Sequence, residues 1–328
     1  MKIVTLSKNQ YERLLPLDIP REVFNTEARM FRYTTPRREE KVVKSLYNTE
    51  GETFGGKLYT LEMLSKNAEY LPESFVIPDS LLSVRDNIVG FTIPYVEGIN
   101  LSTIINNPHL DIKEQLYYLK KVGELLQQLK NIREYTPLNS IYLNDLHESN
   151  FIVNPKKRSI SAIDLDSSKI GNNICFTSRF LTPYSLAATL PQKYHENIEE
   201  RGPGYIIPDE NTDLLCYNIM IMNYLRGTNI DTISNNSILK HYSTISNMSI
   251  EEIESLSYEE RLALEFYEYL NYLEAIGVNH ELLECFNRIL STSPNENPVN
   301  YLDSLTEQQV VRARDSVYRL TKERVLTH

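Results

Sequence analysis

The stretch Tyr142-Leu143-Asn144-Asp145-Leu146-His147-Glu148-Ser149-Asn150-Phe151-Ile152-Val153 constrains this chain more than any other. It sets a carboxylate, Asp145, five residues before a carboxamide, Asn150, on a short polar turn with apolar flanks. Ile160 to Ile163 then reads as a strand about one hairpin later, and it delivers a second carboxylate, Asp164. Two carboxylates and an Asn on adjoining strand ends supply the oxygen donors that Mg²⁺ prefers and can aim a hydroxyl at a phosphate. Asp166, two residues on, is the other candidate for the metal; the strand end favours Asp164.

The 328 residues, 41% hydrophobic, can fill a sizeable core. A net charge of −10 argues against nucleic acid or an anionic membrane as the main partner, so any phosphate-bearing ligand must be drawn in by local cations and metal. Cys175, Cys216 and Cys285 are widely spaced, which suggests neither a zinc site nor a disulfide framework. Met1 to Gln10 lacks the apolar run of a signal peptide, and no stretch approaches the length of a membrane span. The expected location is cytoplasmic with reduced thiols, and the richness in Tyr, Asn and Ile suits an AT-rich bacterial genome.

Ahead of the central stretch, Ala28–Tyr33 and Lys41–Tyr47 read as strands around a turn at Thr34–Arg38. Gly55-Gly56 precedes a helical run, Lys57–Leu64, with Leu58, Leu61 and Leu64 on one face. Val89 to Leu101 is an apolar strand, a turn and a helix start. Asp111 to Arg133 is an amphipathic helix with Asp111 as a candidate N-cap. From Ser167 to Pro208 the chain is irregular and rich in breakers, and a loop of that length is usually functional. Asn211-Thr212-Asp213 introduces an apolar helix, Leu214–Leu225, and Ser249 and Ser257 open further helices with Glu three residues on. Tyr258–Ile276, His280–Leu290 and Thr306–His328 complete a helical C-terminal half.

The ordered series Lys44, Glu62, Asp145, Asn150, Asp164 and Asp213 resembles the protein-kinase-like superfamily, including its aminoglycoside-phosphotransferase-like small-molecule kinases. Asp145-Leu146-His147-x-x-Asn150 is similar to the catalytic loop and Asp164-Leu165-Asp166 to the Asp-Phe-Gly element. The resemblance implies an α+β fold in two lobes. Residues 1–95 form a small antiparallel sheet with one main helix, and residues 96–328 a larger helical lobe. Lys44 then neutralises phosphate oxygens, steadied by Glu62 (Glu69 and Glu73 are alternatives), and Asn150 and Asp164 hold Mg²⁺. Asp145 orients the acceptor hydroxyl, while Pro94 C=O and Val96 N–H face the adenine, with Ile93 behind them. The implied activity is Mg·ATP-dependent phosphoryl transfer to a protein or small-molecule hydroxyl. A pseudokinase serving as a nucleotide-binding or scaffold module is the alternative, and a non-nucleotide interaction protein is the remainder.

The chain departs from the family in several places. Val23–Ala28 has no glycine where a phosphate loop is expected, although Asn25, Thr26 and Ala28 are small enough to turn. Leu143-Asn144 replaces the usual His-Arg, which removes the receiver of an activating phosphate. His147 either supports the loop or contacts the γ-phosphate, and Asp213 either caps its helix or bonds the catalytic-loop backbone. Thr182 is a substrate-side candidate. Asn297 stands at the usual Arg position, and its partner Glu motif is absent too.

Overall fold

A computed structural model describes residues 1–17, 27–171, 208–227, 248–291 and 293–314. Asn25 and Thr26, the segment 172–207 with Cys175 and Thr182, and residues 315–328 lie outside them. The fold is α+β, and no helix among the described residues is long and apolar enough to cross a membrane. The chain divides into two compact units: Met1–Leu101, Gln128–Asn144 and Glu148–Thr177 in the first, Ser102–Gln127, Asp145–His147 and Ser178–His328 in the second.

The first unit is built on a six-stranded sheet. Its strands are β1 (Lys2–Leu6), β2 (Leu15–Pro16), β3 (Ala28–Thr34), β4 (Glu40–Leu46), β5 (Ser80–Val84) and β6 (Asn87–Pro94), in the order β1-β5-β6-β4-β3-β2. The sheet is mixed, not antiparallel as expected, because β1 pairs in parallel with β5. Helix α1 (Lys8–Glu12) follows β1 almost at once, capped by Ser7 and Gln10, so β1 has no hairpin partner and takes the free edge of β5.

Each sheet face has its own core. One buries Leu6, Val43 and Leu82 under Tyr11 of α1; the other buries Ala28, Leu46 and Phe91 under Leu61 of helix α2 (Gly51–Lys66). Successive strand residues point to opposite faces, so Val43 and Ser45 face α1, where Tyr11 OH meets Ser45 Oγ at 2.5 Å. Lys44 therefore shares the α2 face with Leu46. A bulge in β6, where Leu82 pairs with Gly90 but Ser83 with Ile88, lets Val89 and Phe91 join opposite cores.

Two glycines give opposite predictions. Helix α2 begins earlier than expected and contains Gly55, whose added Cβ would meet nothing within 4 Å. Gly55→Ala should raise stability by about 0.5–1 kcal/mol in a denaturant titration. A Cβ on Gly90 would lie 2.1 Å from the Lys44 carbonyl oxygen, so Gly90→Ala should cost about 1–3 kcal/mol by forcing β4 and β6 apart.

The first unit also holds β7 (Ile99–Asn100), β8 (Ile141–Tyr142), β9 (Phe151–Asn154), β10 (Ser159–Ala162) and β11 (Lys169–Ile170). These form a β10-β9-β7 sheet and a β11-β8 pair. The β9–β10 hairpin is stitched to the segment after α2, with Ala162 N donating to Ser74 O at 2.7 Å and Val76 N to Ala162 O at 2.9 Å.

The second unit is helical. It includes α3 (Leu101–Ile105) from Ser102 onward and α4 (Ile112–Tyr135) up to Gln127. Then come α5 (Glu210–Arg226), α6 (Ile250–Ser255), α7 (Tyr258–Ala275) and α8 (His280–Asn287). Asp111 Oδ1 accepts from Lys113 N at 2.8 Å, and Leu116, Leu119, Val122 and Leu126 of α4 are buried, as their periodicity predicts. Ser249 and Ser257 each close a capping box with a Glu. Helix α5 is buried nearly all round; Tyr217 OH donates to Leu119 O at 2.8 Å beside Gly123, where a Cβ would come within 2.5 Å of that hydroxyl. Asn297 caps a 3-10 turn (Pro298–Ser304) and donates to Gly123 O at 2.9 Å.

Candidate active site

Strand β4 presents Lys44 on the α2 face, and α2 presents a second lysine there. The buried stripe of α2 runs Lys57, Thr60, Leu61, Leu64, a spacing of three and four that fits a single helix face. After β10 the chain turns sharply. Asp164 has left-handed backbone (φ 64°), a conformation Asp tolerates better than most non-glycine residues, and it caps a 3-10 turn, Leu165–Ser167. That turn buries Asp166 and is tied down on both sides: Thr60 Oγ1 donates to Ser168 O and Asn144 Nδ2 to Ser167 O, each at 3.2 Å.

These elements assemble a chain of alternating charge. Lys44 Nζ pairs with Asp164 and reaches Asp166 Oδ1 at 2.9 Å and Oδ2 at 3.1 Å. Lys57 Nζ reaches Asp166 Oδ2 at 2.6 Å and Glu27 Oε2 at 2.8 Å. The order is therefore Glu27–Lys57–Asp166–Lys44–Asp164. The Asp166 side chain is 1% exposed, those of Asp164 and Glu27 22% and 34%, so a sealed carboxylate lies between two accessible ones.

Burial alone would lower the pKa of Lys44, but Asp164 and Asp166 outweigh it and raise the value above that of a free lysine. Lys57 shifts the same way: burial lowers it, Asp166 raises it, Lys44 opposes and Glu27 helps. Burial would raise Asp166, and the two lysines hold it well below the usual carboxylate range. All three groups are therefore charged across the physiological range. A buried ion cluster is a poor way to gain stability, since apolar packing of equal volume commonly does as well. Its presence in a small unit points to work done by the charges.

Asn150 closes a 3-10 turn (Glu148–Asn150) just before β9, and its C=O accepts from Ile163 N at 2.8 Å. That bond sets Asn150 against the residue preceding Asp164. The partly exposed carboxamide and carboxylate are hard oxygen donors of the type Mg²⁺ takes one or two at a time, the remaining positions going to water or phosphate. No group of three or more His, Cys, Asp or Glu among the described residues is arranged to hold a metal alone.

Glu62 does not steady Lys44. It lies off the buried stripe of α2, exposed, and pairs with Lys66 one turn on at 2.7 Å. Pro94 ends β6 opposite Lys41, and Val96 follows in the connection to β7; both are partly exposed. Asp145 and His147 belong to the second unit, with Asp145 Oδ2 3.8 Å from His147 Nε2. Asp213 does not cap α5: Asp209 does, in a box with Thr212, leaving Asp213 buried in the first turn. Burial, then Asp213 and Asp145, raises the Cys216 thiol pKa, so both carboxylates lie near that sulfur.

Lys57 and Glu27 escaped the sequence reading. A lysine between Gly56 and Leu58 looks like a solvated helix position, yet its spacing to Leu61 and Leu64 puts it on their stripe. No protein-family profile matches the chain, and a search of curated proteins returns no match.

Proposed function

We propose that this chain is a Mg·ATP-dependent phosphotransferase of the protein-kinase-like, two-lobed kind, acting on a hydroxyl of a protein or a small molecule. The observation that supports this most is the ion pair between Lys44 and Asp164, 120 residues apart, each of which the sequence pattern singles out independently. In this reading Lys44 neutralises phosphate oxygens, and Asn150 and Asp164 offer the oxygens that would hold Mg²⁺. Bound Mg²⁺ supplies charge neutralisation for the transferring phosphoryl group. Pro94 and Val96 border the base, and Asp145, by its place in the loop pattern, orients the acceptor hydroxyl. Glu62 has no part, since its ammonium partner is Lys66.

A second reading, a nucleotide-binding module without transfer, is favoured by one feature. Lys44 and Lys57 already neutralise much of the carboxylate charge, so the cluster is satisfied without metal.

Thermal denaturation with and without Mg·ATP tests both. Saturating nucleotide at about a hundred times Kd adds about 2.7 kcal/mol, a plain rise in Tm. ATP consumption with candidate acceptors then separates transfer from binding. Absence of any Tm shift with Mg·ATP, Mg·ADP or Mg·GTP would remove both readings.

A further inference from the structure

We propose that Lys57 is a positioning residue for phosphate binding, freeing Lys44 to serve the nucleotide by taking over part of the charge on Asp166. This rests on the nucleotide-binding reading of the site above. Lys44 faces two carboxylates at once, Asp164 and Asp166, and its side chain is only 3% exposed. With Lys57 absent, one ammonium would face two negative charges, and an incoming phosphate would have to compete with both. With Lys57 present, Asp166 is shared between two ammonium groups, Lys44 also facing Asp164 and Lys57 also facing Glu27.

The sharing is built in. Asp166 Oδ2 accepts from Lys57 at 2.6 Å and, less closely, from Lys44 at 3.1 Å, while Oδ1 accepts from Lys44 at 2.9 Å. Glu27 holds the outer side of Lys57 at 2.8 Å, and the bond from Thr60 fixes α2 against the loop that carries Asp166. Were Asp164 to serve a metal-bound nucleotide, Lys44 would keep one anchor, Asp166, which it shares with Lys57. Lys57 thereby does from the helix, through a carboxylate relay, what Glu62 was expected to do by direct contact.

The test compares two ligands on the full chain by calorimetric titration: Mg·ATP, which carries phosphates, and adenosine, which does not. In Lys57→Met and in Lys57→Gln, Mg·ATP should bind about 10–100-fold more weakly, as is typical when an outer partner of a binding group is lost. Adenosine affinity should stay as in wild type, and Lys57→Arg should recover most of the Mg·ATP affinity. Lys57→Gln keeps a donor toward Asp166 and serves if Lys57→Met does not fold. Equal weakening of both ligands would make Lys57 merely structural and overturn the inference, as would unchanged Mg·ATP binding. Wild-type protein that binds no Mg·ATP would instead overturn the function proposed above, and the inference with it.

Discussion

Asp166→Ala is expected to destabilise the first unit by about 3–5 kcal/mol, the usual result of removing one partner from a buried ion cluster. The carboxylate is buried and accepts from two ammonium groups. Its loss leaves Lys44 with Asp164 and Lys57 with Glu27, two partly exposed anions, while the polar space between the lysines is left empty. Cost on this scale is a large share of a domain's stability, so the variant should unfold at much lower denaturant concentration than wild type. Glu62→Ala is the control. Its carboxylate is exposed and pairs only along the helix surface, so no measurable change is expected. If Glu62→Ala proved the more harmful of the two, the arrangement of charges described here would be wrong.

Asp145→Asn should lower phosphoryl transfer by about 10²–10⁴-fold, the range for losing a positioned proton acceptor. The amide keeps the size of the carboxylate and disturbs packing little, so the Tm rise with Mg·ATP should match that of wild type. A drop in turnover with binding retained assigns Asp145 to the acceptor side. Undiminished turnover would send that role elsewhere. In a module that binds without transfer, the variant would be indistinguishable from wild type in every assay.

The elements read well from sequence where a local rule decides them. The strand on either side of Lys44, the amphipathic face of α4 and the serine caps of α6 and α7 all follow from periodicity or capping chemistry within a few residues. Lys57 did not, because its burial depends on a carboxylate 109 residues away, and helix periodicity cannot announce a buried charge without its partner. Glu62 failed for a related reason. Its distance along the chain from Lys44 was right, but a helix turns about 100° per residue, and one position past Leu61 is enough to leave the packed stripe. The parallel edge strand β1 was equally hidden, since which strand fills an open edge is a question of what else is free to pair.

The alternation along β4 makes this part of the gene far more sensitive to insertions and deletions than to substitutions. Valine and lysine sit side by side there, one for each face of the sheet, and exchanging side chains of similar size at either position leaves the other where it was. Losing one codon between Glu40 and Lys44 would instead turn the ammonium into the apolar layer beneath Tyr11 and set Ser45 in its place before the carboxylates. The turn from Thr35 to Glu39, closed by backbone hydrogen bonds from Thr35 N to Glu39 O and from Arg38 N to Thr35 O, is where length changes in this hairpin should survive selection.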